Sequence, residues 1–571
     1  MRNIVVLLLI LMFLVPCPAF AFTRVTDLSF NGTTITPDQF EATFETIKAN
    51  IKANKKIKGK RNKLPTKISV VYGRQADAKN IQLEIDTSEV LLKSQKDVQL
   101  PISNLGFLNA VQEAISLFEN VEIADIMFKP LRLTSAGANQ DDGRNVITFR
   151  AAEPPEGIGG TSAVFSIINV AKTENVVFMG QKIMTKPGTL LDVDVVFDPA
   201  NDPCLAYFIT QGDFKIGGDD SATVTEGGID AAEVENCEGL SAADLVDYSV
   251  RGISRVLGFE SSAIASSAFS RTPRNMIRYK LTNDDEIALA SLYPNVSEVS
   301  MTRGIVSGKV LINKTPHIGV HLVLQDLISG EPVAGTFTDI DGKFEIKAVP
   351  EGTYTAYTEP LDGRVRPTDF VYNSFASNAM LNFSTAVFPE PISVKANMTT
   401  NISLEFENQP GSAFNLNTQV TAPIVTEKEA ISGGLGVTPL PIRVMPGQTL
   451  VGVKFWGDNI TTNFGTLSIS GQGVTVTNVM DANVAISPYV QCQKCDDTPE
   501  KQCRRSSLCS ASEELITQAD QIPGITADII CAEDAQPGPR TIIFTGDNLD
   551  GEHPSFGLRD QITGGLIVAE P

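Results

Sequence analysis

Histidine is almost missing from this chain. Its 571 residues include only His317, His321 and His553. A metal centre built on imidazoles therefore has few ligands to draw on, and none before residue 317. Positive charge is also short: 46 Lys and Arg stand against 67 Asp and Glu, a formal net charge of −21 at pH 7. That balance argues against nucleic acid as the main partner, because a phosphate backbone is held by a basic face. It says little more, since a negative surface is a common route to solubility. Long apolar runs are missing beyond the first residues. After Ala21 no segment has the length and apolarity to span a membrane, so no membrane span is expected once a leader is removed.

The residues present at the start set the compartment. Arg2 supplies a short positive region, Ile4 to Val15 form an apolar run, and Pro16 and Pro18 break it. Ala19-Phe20-Ala21 then offers small residues at the cleavage positions. Residues 1–21 read as a secretory signal peptide, and the mature chain is expected to be secreted, periplasmic or on the cell surface. Eight cysteines are present, and Cys17 leaves with the leader. An oxidising compartment makes disulfides the default for the rest. The disulfide candidates are Cys204 with Cys237, and Cys492, Cys495, Cys503 and Cys509 in a later cluster. Cys531 makes the last five odd in number, so one thiol is left free or pairs outside the chain.

The length suggests three or four domains. Residues 22–95 have no assignable role; they hold a helical pattern over Gln39–Ala53, a basic run from Lys52 to Lys67, and strand patterns at Ile68–Tyr72 and Ile81–Ile85. Residues 96–295 mix helix and strand. Leu108–Phe118 is amphipathic; Val146–Phe149, Ala163–Val170 and Leu191–Phe197 read as strands; Gly217–Glu238 reads as an acidic loop. Ser241 is a candidate cap for a helix running to about Leu257, and Thr282 caps a helix over Asn283–Leu292 with Asp285 placed for a capping box. From Arg303 the helical period disappears. Short alternating segments with Gly, Pro and Asp turns predict β units over 303–408 and 436–571, joined by a linker at 409–435. The expected fold class is therefore multidomain, α+β followed by all-β.

Several stretches carry family resemblances. Ala110–Phe118, Asn145-Val146-Ile147-Thr148-Phe149, Leu191–Asp198 and Leu281–Ile287 with Leu292-Tyr293-Pro294 together resemble the matrixin branch of the metzincin metallopeptidases. That resemblance implies a metzincin-like α/β domain over 96–295 and a zinc motif of the form HExxHxxGxxH. The matching stretch is Arg251-Gly252-Ile253-Ser254-Arg255-Val256-Leu257-Gly258-Phe259-Glu260-Ser261. Arg251 and Arg255 occupy the two helical His positions, Gly252 the Glu position and Ser261 the third His position. Gly258 keeps the turn, and Met276 corresponds either to the Met-turn residue or to an ordinary core methionine. Guanidinium groups stay protonated and offer no lone pair to a metal. Zinc is therefore expected to be absent, and with it metal-assisted peptide hydrolysis. Arg251 is placed to pair with Asp247 and Arg255 with Glu260; the sharper alternative is an anion held between the two arginines.

Residues 303–408 resemble the carboxypeptidase regulatory-like domain, a transthyretin-like β-sandwich, through Gly304–Val310, Gly319–Leu324, Thr338–Phe344 and Val349–Tyr354. Asp341-Gly342 predicts a tight turn, with Phe344 and Tyr354 packing inward. Asp339 and Asp341 lack a complete calcium loop around them. His317 and His321 read as surface or strand residues. Residues 436–571 resemble bacterial immunoglobulin-like domains through Val437-Thr438-Pro439, Gly473–Val479 and Ala535–Thr541, with a Cys-rich insertion at about 489–524. The expected function is an exported noncatalytic binding or adhesion protein with a protein, peptide or glycan ligand. The alternative from a different class is a zinc-dependent metalloendopeptidase of the matrixin type.

Overall fold

The computed structural model describes residues 22–24, 26–30, 33–34, 68–72, 77–86, 104–135, 144–148, 162–169, 174–178, 181–185, 189–197, 205–208, 241–270, 280–339, 341–360, 383–407, 417–419, 441–456, 460–485, 492–494, 513–515, 521–546 and 559–569. The leader, the helical pattern at 39–53, the basic run, the acidic loop at 217–238, Met276, Cys204, Cys237, Cys495, Cys503 and Cys509 lie outside the described residues. Of the later cysteine cluster only Cys492 falls within them, in a short strand Cys492–Lys494. Strand dominates, and it is divided among several sheets.

The first unit mixes both elements. Its strands are β1 (Glu84–Asp86), β2 (Arg132–Thr134), β3 (Val146–Thr148), β4 (Ser162–Asn169) and β5 (Thr189–Phe197), in the sheet order β2-β1-β3-β5-β4. All neighbours run parallel except β4, which is antiparallel to β5. Helix α1 (Asn104–Glu119) buries Phe107, Val111, Ala114 and Phe118, one stripe at helical spacing. It packs against α2 (Leu245–Val256). The expected cap at Ser241 is corrected: Ser241–Asp244 is a strand parallel to Leu205–Phe208, so its backbone is committed to a ladder and the helix starts only at Leu245. Helix α3 (Asn283–Leu292) does carry the expected cap. Thr282 Oγ1 accepts from Asp285 N, and Asp285 accepts in return from the Thr282 backbone N–H. A short helix, α4 (Val296–Thr302), runs straight into the next strand.

The second unit encloses one apolar core between two sheets. In the first, β6 (Arg303–Ile312) is flanked by β9 (Lys343–Pro350) and β12 (Thr399–Phe406). In the second, β7 (His321–Asp326) lies between β8 (Pro332–Phe337) and β10 (Gly352–Glu359), with β11 (Ile392–Val394) beyond β10. Val310, Leu322, Phe344, Ile346, Tyr354 and Ile402 meet between them. Period-two alternation explains the choice: β9 buries Phe344 and Ile346 and exposes Lys343 and Lys347. Gly342, at φ 72, makes the turn before β9, and Asp339 accepts there from the amides of Asp341 and Lys343.

The third unit repeats the two-sheet plan. One sheet holds β14 (Thr449–Trp456), β17 (Gln521–Cys531) and β16 (Val474–Ala485) in that order. The other holds β13 (Ile442–Val444), β19 (Arg559–Val568), β18 (Gly538–Gly546) and β15 (Gly465–Ile469). Phe455, Ile525, Ile529, Ile542, Phe544 and Leu566 form the core between them. Cys531 ends β17 as a buried free thiol, its pKa raised by that burial.

Candidate functional site

Polar side chains come together at several places in the described residues, and two of these places lead to contacts between units. The first is the face of α2 that the sequence singles out. Ten of its residues are buried; Arg251 and Arg255 are half-buried. Four positions apart, they share one helix face. The Arg251 guanidinium lies 5.3 Å from the centre of the Tyr248 ring, close enough for a cation–π contact. Gly252 is buried in the helix. Gly258, at φ 93, ends it, with its N–H bonded to Arg255 O. Ser261 falls in the strand Phe259–Ser262, which pairs with Phe22–Arg24.

The end of that strand leads into a buried, serine-rich segment. Ser262 and residues 264–270 are all buried, although four of them are serines. Helix α3 takes up polar atoms of this segment. Ser262 Oγ donates to Asp284 Oδ2 at 2.9 Å, Ser267 Oγ donates to Asp285 Oδ1 at 2.5 Å, and Ala268 N donates to Asp285 Oδ2 at 2.9 Å. Asp284 Oδ1 in turn accepts from Gly335 N of β8 at 2.9 Å, and Asn283 Nδ2 donates to Glu331 Oε1 at 3.0 Å. The first turn of α3 thus ties the first unit to the second. Burial, and after it the neighbouring Asp285, push the Asp284 carboxyl up to about 8. Burial also raises Glu286 and Glu331. The same buried segment reaches the third unit, where Ala265 N donates to Thr563 O at 2.9 Å.

The second place lies between the second and third units. Glu359, at the end of β10, has His321 Nδ1 2.6 Å from its Oε1. Its Oε2 accepts from Thr563 Oγ1 at 2.8 Å and from Gln561 Nε2 at 3.2 Å. Thr563 Oγ1 also lies 3.0 Å from the Tyr357 hydroxyl, which is 3.4 Å from Thr541 Oγ1. Arg559 places its guanidinium 5.7 Å from the centre of the Tyr357 ring. Burial, and then the charge of Glu359, raise the Tyr357 phenol far above its ordinary value, so it acts as a neutral hydroxyl. The sequence pattern marks His321 only as a surface or strand residue and does not point to Glu359, Tyr357 or Thr563. His321 lies in a strand, but it is 1% exposed. The alternation of β10 is the one available signal, since Tyr357 and Glu359 share one face.

A paired histidine and carboxylate have the makings of an acid–base couple, but such a couple must reach a substrate. Here His321 Nε2 is buried without a hydrogen-bond partner, and the Phe337 ring packs 5.1 Å from the imidazole. The network therefore serves as a polar lock across the two units. Backbones also touch directly nearby. Gly330 and Gly471 meet so closely that a Cβ on Gly471 would lie 1.8 Å from Ser329 O. Ser470 Oγ donates to Gly330 O at 2.7 Å. Among the described residues no group of three or more His, Cys, Asp and Glu is placed to hold a metal, and no helix is long and apolar enough to cross a membrane.

No family model and no curated protein matches this chain. Among solved structures it is similar to a minor pilin of Streptococcus agalactiae, at 14% identity over 20% of this chain and 48% of that one, with a TM-score of 0.13. It is also similar to the major pilin SpaD of Corynebacterium diphtheriae, at 8% identity over 45% of this chain and 64% of that one, with a TM-score of 0.14. A DUF3823 family protein of Bacteroides uniformis aligns at 11% identity over 47% of this chain and the whole of that one, with a TM-score of 0.12. The chain thus spans about half of the minor pilin and under two thirds of SpaD. These are β-rich proteins and not matrixin metallopeptidases. The matrixin resemblance and its metzincin-like fold are corrected, as are the regulatory-like and immunoglobulin-like names, because no family model matches the chain. The physical reason lies in the pieces that suggested the family. A buried apolar strand such as Val146–Thr148 and a capping box such as Thr282–Asp285 are what sheet burial and helix capping demand of any chain. Similarity in such pieces reports shared local chemistry rather than a shared family.

Proposed function

We propose that this chain is exported and acts as a noncatalytic binding or structural protein at the cell surface or beyond it. The observation that carries the reading is the use made of the polar side chains. Ser262, Ser267, Asp284, Asp285, His321 and Glu359 are all buried and spend their hydrogen bonds joining one unit to the next or bracing the segment that does so. An enzyme holds such groups at a surface where substrate can reach them. The leader-like residues 1–21 and the acidic balance fit an exported, soluble chain. A protein, peptide or glycan is the ligand class, and no resident metal belongs to the proposal.

Cell fractionation with sequencing of the N-terminus tests it. Expressed with its own first residues, the protein should leave the cytoplasm and begin at Phe22. Protease added to intact cells should degrade it. Cytoplasmic protein that still begins at Met1 would overturn the reading, as would stoichiometric zinc with chelator-sensitive peptidase activity in the purified chain.

A further inference from the structure

In the second unit the first and last strands lie side by side and run in the same direction; in the third unit β13 and the last strand do the same, preceded by a short edge strand, Asn417–Gln419, that pairs antiparallel with β14. In the second unit, β6 pairs parallel with β12 along its length, from Ile305 opposite Thr399 to Ile312 opposite Phe406. In the third unit, β13 pairs parallel with β19, Ile442 to Val444 opposite Leu566 to Val568. The other described pairings among the strands of these two units are antiparallel.

The direction of a first–last pair decides how a pulled unit fails. Tension applied through the chain draws the first strand backwards from its start and the last strand forwards from its end. If the two were antiparallel, both forces would act at one end of the ladder, and its bonds would break one at a time. Because they are parallel, the forces act at opposite ends. Every hydrogen bond between the strands is then loaded at once and in shear, and they must fail together. We propose that the two β units are tension-bearing modules, with β6–β12 and β13–β19 as their shear clamps.

Three further features serve the same end. Gly308 faces Ile402 on the partner strand, where a Cβ would come within 1.8 Å of Ile402 O; the glycine lets β6 and β12 close up in the middle of the clamp. Both ends of that clamp have extra ties: Asn397 N donates to Arg303 O, and Asn313 N donates to Phe406 O, each at 2.9 Å. In the third unit β19 is held twice. Its last residues pair with β13, while Gln561 and Thr563 bond to Glu359 of the second unit. Force leaving the third unit along β19 is thereby shared with the second. The inference gives a role to the surface protein proposed above and rests on that reading for its context, but its mechanics are independent of location.

Single-molecule force spectroscopy on the full chain tests it in two pulling geometries. In the first, handles are attached at the two chain ends. In the second, bioorthogonal handles replace Thr302 and Met398, both exposed and both at the same end of the β6–β12 ladder. The covalent sequence is otherwise unchanged, and circular dichroism checks that the fold is kept. End-to-end pulling should give two high-force unfolding events. Pulling between 302 and 398 should open the second unit at a force several-fold lower. Equal forces in the two geometries, or only low-force events from the ends, would overturn the proposal. Fractionation separates it from the surface reading. A weak clamp in an exported protein refutes the mechanics alone, and a strong clamp in a cytoplasmic protein refutes the location alone.

Discussion

At the scale of single residues, the junctions concentrate groups whose chemistry burial has altered. Asp284 is 1% exposed and its carboxyl titrates near 8. In the unfolded chain an aspartate loses its proton near 3.9. The folded state therefore binds one more proton than the unfolded state between about pH 4 and 8, and stability must fall as pH rises through that window. The neutral carboxyl keeps its acceptor to Gly335 N, so asparagine is a close substitute. Asp284→Asn should flatten the decline in Tm between pH 4 and 8 and raise Tm at pH 8. A variant whose pH slope matches the parent's would refute this role. Glu359 is a buried acceptor with both side-chain oxygens engaged. Glu359→Ala strands the donors on His321 and Gln561, while Thr563 Oγ1 keeps the Tyr357 hydroxyl within reach. Each buried donor left unpaired costs about 1–3 kcal/mol, so a loss of at least about 2 kcal/mol is expected in denaturant titration. Tyr357→Phe, which removes a hydroxyl from the edge of the same network, should cost only about 1 kcal/mol. Equal losses in the two variants would place the weight of the network elsewhere.

At the scale of elements, short-range patterns are legible in the sequence and long-range pairings are not. The capping box of α3 lies within four consecutive residues, Thr282 to Asp285, and its donors and acceptors can be matched by counting along the chain. The same holds for the turn at Gly342 and for the inward Phe344 and Tyr354. Ser241 misleads because a serine before an apolar stretch is also compatible with a strand, and the partner Leu205–Phe208 lies far back in the sequence. His321 and Glu359 are 38 positions apart, and Thr563 is 204 beyond Glu359. No spacing rule links such residues; only the folded register of β7, β10 and β19 does. The parallel pairing of β6 with β12 is hidden for the same reason, although Gly308 marks it. Gly308→Ala places a methyl group against the Ile402 carbonyl and should force the strands apart. The expected loss is about 2 kcal/mol or more, with amide exchange faster on both β6 and β12 than on β7. Unchanged exchange on β12 would show that the close approach is not needed.

At the scale of the whole molecule, the units are joined by contacts of the kind found inside a core. Ile287 of α3 packs in the core of the second unit, and Ala348 of β9 packs in the core of the first. Between the second and third units backbone meets backbone at Gly330 and Gly471. A contact this tight, backed by the Glu359 network, should make the two β units melt together. Gly471→Ala tests that coupling. Its Cβ would meet Ser329 O at 1.8 Å, and its φ of +82 adds local strain. Strain alone is controlled by Gly452→Ala, where φ is +68 and nothing lies within 4 Å of the added carbon. Left-handed backbone costs an alanine about 1–2 kcal/mol in either place. Gly452→Ala should therefore lower one shared transition in calorimetry. Gly471→Ala should split that transition in two, because the added methyl group prevents the units from closing on each other. Two variants that both shift a single peak by the same amount would mean that the units are coupled elsewhere, and a parent protein that already melts in two steps would mean that they are not coupled at all.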